Sequence, residues 1–204
     1  MDAYKVVRQF EDELAAHCGA TYCVSVESCS AAIFLSIAYC KARMGVSLWV
    51  GIPRYTYPSV AASIVNNGLE IRWNDDDWQD DGWYWLVNTP IIDSAKLLAR
   101  GMYKPQSLTC LSFHGKKNLS IGRGGAILTD NEDAANWLKV MRFDGRHECP
   151  LPEDHLVGPG WNMYMTTEQA ARGLELLQWV PDEMRLPRDP YQDLSRYSFY
   201  RGKR

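Results

Sequence analysis

Apolar positions along the chain switch between a helical and a strand period. Val6, Phe10 and Leu14 recur at i, i+4 and i+8 and predict an amphipathic first helix ending near Gly19. Tyr22–Val26 is a short β-rich run, and the small polar triplet Ser28-Cys29-Ser30 then opens an apolar helix reaching about Arg43. Ser47–Ile52 reads as a buried strand closed by Pro53, and a helix from about Pro58 to Asn66 stops at Asn67-Gly68. Leu69–Trp73 is a further strand, and Trp85–Asp93 supplies one or two more. Leu108–Phe113 and Gly125–Thr129 flank a Gly-rich turn as two strands. Asp130 is placed to cap a helix carrying Ala134, Trp137, Leu138 and Met141, and a last helix runs from about Thr166 to Trp179. Helices alternating with short apolar strands predict an α/β fold, three layers with a mainly parallel sheet.

Two segments break the pattern. Trp73–Trp85 holds five Asp and four Trp, and reads as an exposed loop whose aromatics pin it to the body. Beyond Trp179, Pro181, Pro187 and Pro190 punctuate a tail that resembles an arm more than a domain, so the chain divides into a body over 1–180 and an arm over 181–204. From Arg185 to Arg204 that arm carries six Lys or Arg against two Asp, interleaved with Tyr191, Tyr197, Phe199 and Tyr200. Such a mixture can grip a nucleic-acid strand, or simply clasp a second subunit.

Charge and composition narrow the classes. Among 204 residues, 22 Lys and Arg face 25 Asp and Glu, a net charge of -3, so no global positive field marks a nucleic-acid binder. Apolar runs such as Ala31–Ala38 are too short to span a bilayer, and Met1–Phe10 lacks the apolar stretch of a signal peptide. The six Cys form no C-x-x-C pair, as expected of reduced thiols in a cytoplasmic protein.

Three stretches place reactive groups at strand ends, where open α/β sheets bind ligands. Ser28-Cys29-Ser30 lies at a helix N-terminus, whose free N–H groups and dipole suit a phosphate; plain N-capping by Ser28 is the alternative. Asp93 ends a buried strand, as a charge partner or a turn residue. Ser112–Leu119 carries Lys116 and Lys117 before Gly122-Arg123-Gly124-Gly125, where a lysine can form a Schiff base, hold phosphate or face solvent.

In this order the stretches resemble the DegT-type sugar-nucleotide aminotransferases, fold type I enzymes that use pyridoxal 5'-phosphate (PLP). Phe10–Ala16 is similar to the family's opening helix, and Val24–Ala32 to its V-x-S-G-T-A-A phosphate turn. Ile52–Tyr57 matches P-x-x-T-aromatic, Asp93-Ser94-Ala95 falls on D-A-A, and Ser112–Leu119 on S-F-x-x-x-K-N-L. Gly124–Thr129, Met141–Arg146, Gly160–Thr166 and Gln169–Ala171 continue the match.

The resemblance implies roles. Lys117, rather than Lys116, would hold PLP as a Schiff base, and Asp93 would pair with the pyridinium nitrogen. Ser28, Cys29, Ser30 and Ser112 would hold the phosphate, Tyr57 would stack on the ring, and Asn162 would reach a neighbour's phosphate across a homodimer interface. Cys29 stands where the family has Gly, Lys96 where Gln or His lies near the cofactor's 3-hydroxyl, and Tyr164 where Arg is common. The chain is short for the family, as a compact viral-type homologue would be, with little sequence for a C-terminal small domain. The activity implied is amino transfer from an amino-acid donor to a keto sugar or nucleotide-linked acceptor. Decarboxylation of an aminoacyl-modified nucleotide or DNA base is a second reading, and a retired PLP-fold binding module a third.

Overall fold

The computed structural model describes residue 2, residues 4–182 and residues 186–200; Arg185 and the basic residues at 201–204 lie outside them. Five helices and seven strands follow the predicted order: α1 Lys5–Cys18, β1 Tyr22–Val26, α2 Cys29–Met44, β2 Trp49–Pro53, α3 Pro58–Asn66, β3 Glu70–Asn74, β4 Tyr84–Leu86, β5 Ile91–Asp93, β6 Leu108–Ser112, β7 Gly125–Thr129, α4 Glu132–Met141 and α5 Thr167–Leu177. Gly19 ends α1 in the left-handed conformation, as a C-terminal glycine does. Asn131, not Asp130, caps α4 by accepting from Ala134 N; the Asp130 carboxylate instead takes Gln106 N at 3.0 Å.

The sheet is mixed rather than mainly parallel. Its strands run β1-β7-β6-β5-β4, and only β5 and β6 are parallel; β2 and β3 form a separate parallel pair. The connections explain the correction. Parallel neighbours need a crossover of a dozen or more residues, which α3 supplies between β2 and β3 and the irregular stretch 94–107 supplies between β5 and β6. The β4–β5 and β6–β7 links double straight back instead, giving antiparallel pairs, and β1 adds antiparallel to β7. The two sheets meet at one bridge, where Gly51 N donates to Val87 O at 3.0 Å and Val87 N to Gly51 O at 2.8 Å. A Cβ at position 51 would lie 2.8 Å from the Val87 Cβ, so glycine permits this junction.

Both faces of the central strands are covered, which is why they read as continuous apolar runs. Val24, Val26, Ile91, Cys110 and Ile127 pack with α2, α3 and α4 on one face. Cys23, Leu111, Phe113, Ala126 and Leu128 pack with α1 and α5 on the other, where the Phe10 and Phe113 rings meet edge to face at 5.8 Å. Burying Phe10 alone is worth about 1.5–3 kcal/mol. The result is the expected three-layer α/β/α arrangement. No described helix is long and apolar enough to cross a membrane.

The Trp/Asp-rich segment is pinned chiefly by one ring. Trp78 is buried, donates from Nε1 to Tyr55 O at 3.0 Å and packs between Tyr84 and Tyr191. Trp73 lies on β3 and Trp83 under Lys104, while Trp85 points outward at 40% exposure because strand alternation sends Tyr84 and Leu86 inward. The acidic residues of the segment hold basic ones: Asp75 pairs with Arg54 at 2.7 Å, and Asp77 and Asp80 with Arg188 of the arm.

Candidate active site

The N-terminus of α2 forms one end of the site. Ser28 sits in extended backbone (φ -168°), and its hydroxyl accepts from Ala31 N at 3.1 Å. It is thus an N-cap, and the first-turn residues Cys29 and Ser30 beside it border the cavity. Ser30 Oγ donates to Ser59 Oγ at 2.6 Å, tying the starts of α2 and α3 together. Gly125, at the start of β7, touches this turn: a Cβ there would lie 2.4 Å from the Ser28 carbonyl carbon and 2.5 Å from Cys29 N. Burial, reinforced by the Asp93 charge, pushes the Cys29 thiol well above its usual range, so it fills space as a neutral group.

Asp93 ends β5 and is 2% exposed. Its Oδ1 accepts from Ala95 N at 2.9 Å, and its Oδ2 from the Tyr84 hydroxyl at 2.9 Å. Tyr84 lies directly opposite Asp93 in the β4–β5 register and also meets Thr56 Oγ1 at 2.6 Å. Burial raises the carboxyl of Asp93; the Ala95 amide, the Tyr84 hydroxyl and the Lys117 charge oppose the rise without cancelling it. Burial and the Asp93 charge push the Tyr84 phenol well up, which keeps it a neutral donor.

Lys117 lies in the loop between β6 and β7, its backbone N–H bound to His114 O at 2.8 Å. It borders the same cavity as Asp93, Cys29 and Asp189 of the arm, and its positive charge tends to lower the pKa of all three. Lys116 beside it is exposed at the rim.

These groups line one cavity of about 1250 Å³. Ser28, Cys29, Ser30, Tyr57, Asp93, Ser112 and Lys117 all border it. Two expected residues do not. Lys96 is buried outside the lining, its ammonium bound to Gln79, Pro187 and Asp189. Asn162 is exposed on the segment before α5 and donates to Asp144 Oδ2 at 3.0 Å. Tyr57 is 60% exposed at the mouth. The sequence reading passed over Tyr84 and Asp189. An alternating pattern at Tyr84-Trp85-Leu86 was the available signal for the first; none marked the arm residue.

The sequence matches the DegT/DnrJ/EryC1/StrS aminotransferase family over residues 1–80 and 100–197. It is 28% identical over 234 aligned positions to the spore coat polysaccharide biosynthesis protein SpsC of Bacillus subtilis, covering 86% of this chain and 57% of that protein. The fold superposes on sugar aminotransferase CalS13 from Micromonospora echinospora with a TM-score of 0.71 at 18% identity, over 86% of this chain and 61% of that one. Spr1654 from Streptococcus pneumoniae in its PLP-form gives 0.69 at 18% identity, over 86% and 59%. The chain thus spans about three-fifths of the length of these proteins, with the same fold type I architecture.

Proposed function

Because the chain belongs to the DegT/DnrJ/EryC1/StrS aminotransferase family, we propose that it is a PLP-dependent aminotransferase moving an amino group from an amino-acid donor to a keto sugar, free or nucleotide-linked. The observation that carries the reading is the convergence of Lys117, Asp93 and the α2 N-terminus on one cavity. The sugar part rests on what SpsC and CalS13 are named for.

The residues present fit PLP. The Cys29 and Ser30 amides, with the Ser112 hydroxyl, are donors suited to its phosphate, and the dipole of the 16-residue α2 adds positive potential there. The buried Asp93 carboxylate is the natural partner for a pyridinium, and Tyr57 offers a ring at the mouth. Bound there, PLP supplies an electron sink for the charge left when a proton leaves the donor's α-carbon.

The chain's own groups would do the rest. The Lys117 amine would hold the cofactor through its aldehyde and would serve as the base that takes the donor's α-proton and passes it to the cofactor. Asp93, fixed on both oxygens, keeps a negative charge against the ring nitrogen. Tyr84 and Thr56 hold that carboxylate in place. A second copy of the chain would complete the phosphate end through Asn162, which is exposed and lies away from its own cavity.

The test is a screen of amino acids against PLP-loaded protein. One of them should bleach the cofactor's visible band and release its keto acid. Carbon dioxide without keto acid would replace the reading by decarboxylation, and no response to any amino acid would contradict it.

A further inference from the structure

The cavity is larger than the roughly 300–1,000 Å³ usual for a ligand site, and much of its outer lining comes from the C-terminal arm. Residues 186–200 run along the cavity and end against the start of α3. Leu194 is buried and its N–H binds Arg54 O at 2.9 Å, and the Tyr200 hydroxyl reaches Pro58 O at 3.1 Å. Ahead of them Tyr191 stacks on Trp78, ring centres 5.8 Å apart, and Trp78 packs on the Tyr84 that holds Asp93. The arm is therefore in contact, through two rings, with the group expected to face the cofactor's ring nitrogen.

What seats this strand of chain is Lys96. Its side chain is 1% exposed, although it carries a charge. A lysine ammonium has three donors, and three acceptors meet them: Gln79 Oε1 at 3.2 Å, Pro187 O at 2.5 Å and an Asp189 carboxylate oxygen at 3.1 Å. Gln79 closes the arrangement by accepting from Asp189 N at 2.7 Å and donating to Asp189 O at 3.1 Å. Two of the three acceptors belong to the arm, and no donor is left over for a ligand. The resemblance put Lys96 beside the cofactor's 3-hydroxyl; its geometry puts it under the arm.

We propose that residues 186–200 are the substrate-side wall of the cavity and that Lys96 is the positioning residue that seats this wall, through Asp189 and Pro187, rather than a contact to the cofactor. The proposal rests on the aminotransferase reading for the identity of what the wall encloses, and on the described contacts for the seat itself. Burial tends to raise the Asp189 carboxyl, but hydrogen bonds and charge from Lys96, the Tyr191 hydroxyl and the Lys117 charge outweigh it and hold it low. The wall thus carries a fixed negative charge toward Lys117. Its aromatic rings, Tyr191, Tyr197 and Phe199, give it a surface for a flat or ring-shaped group.

The test compares the full-length chain with Lys96→Met, Asp189→Asn, their double variant and Gln79→Ala, each with and without PLP. Chymotrypsin cutting after Tyr191, Tyr197 and Phe199 reports how often the arm leaves the body. Lys96→Met should raise that rate about tenfold or more, in proportion to the open population. The double variant should be no worse than Lys96→Met alone, since both remove one contact. With the amino acid that converts wild-type PLP fastest, the concentration for half-maximal rate should rise about fivefold while the maximal rate stays within about twofold. The absorbance maximum of bound PLP should not move. If Lys96→Met fails to fold, Gln79→Ala, which removes two ties to Asp189 from a half-buried position, should give the same loosening. Unchanged cleavage in both variants overturns the proposal, and so does a shifted PLP spectrum with unchanged cleavage. Wild-type protein that binds no PLP would sink the aminotransferase reading alone, because cleavage of the PLP-free chain still reads the seat.

Discussion

At Asp93, burial and hydrogen bonding pull in opposite directions. The raised carboxyl means that it takes up its proton at a pH above the ordinary value of 3.8. For an acid with a raised folded pKa, the folded state holds the proton more tightly, so ionising it costs stability as pH rises through that window. The ionised form is the one the cofactor needs, so turnover should fall on the acid side earlier than for an exposed aspartate. Tyr84 donates to the carboxylate and lowers its pKa. Tyr84→Phe should therefore move the acid limb of the pH–rate profile upward, and an unmoved limb would show that the hydrogen bond does not act on Asp93. Asp93→Asn should retain PLP and lose about 10²–10⁴-fold in turnover; near-normal turnover would make Asp93 a strand-end turn residue. That Asp93 and Lys117 would border one cavity was legible because a lone carboxylate ended an apolar run and a lysine preceded a Gly-rich turn. Tyr84 was not, because its role depends on the register that sets it opposite Asp93. The contacts of Lys96 with Pro187 and Asp189 were not legible, because these partners are more than ninety residues away.

Among the elements, α1, β1 and α4 are joined by a buried charge cluster. Arg142 donates to a Glu11 carboxylate oxygen and to Ser25 O, and the same Glu11 oxygen accepts Ser25 N and Ser25 Oγ, each at 2.8 Å. Both side chains are almost fully buried, at 2% and 3% exposure. Burial would lower the Arg142 guanidinium, but the Glu11 charge and hydrogen bond prevail and raise it. Glu11→Ala leaves that cation buried with less compensation and should destabilise by about 3–5 kcal/mol. At roughly 2–4 °C per kcal/mol for a chain of this size, thermal unfolding should begin well below wild type. A change under about 1 kcal/mol would show the cluster to be solvated. The sheet junction is the second test at this scale. Gly51→Ala should cost about 1–3 kcal/mol by overpacking against Val87, and urea unfolding of Gly51→Ala/Val87→Gly should recover most of it; no recovery would place the strain elsewhere. Element order was legible from the periods alone, while strand direction was not. The four-residue link after Leu86 can only reverse the chain, whereas the twelve residues after Ser112 reverse it and the fourteen after Asp93 do not, so length alone does not set direction there.

For the whole molecule, the account requires two copies. Asn162 turns away from the cavity of its own chain, and Leu151, Leu156 and Val157 are exposed on the segment leading to it at 63%, 70% and 53%. Clustered exposed apolar side chains are what an interface would cover. Asn162→Ala should weaken PLP retention without unfolding the chain. Mixed with Lys117→Ala, it should form heterodimers with one competent site; a tight PLP-binding monomer in light scattering, or a mixture without recovered activity, would contradict the shared site. The central claim, that this chain carries a working cofactor lysine, is tested most directly by borohydride reduction of the PLP-loaded protein followed by peptide mapping. The account predicts a pyridoxyl group on Lys117, absent from Lys117→Ala and present in Lys116→Ala. A label on Lys116, on Lys96 or on no lysine would contradict it.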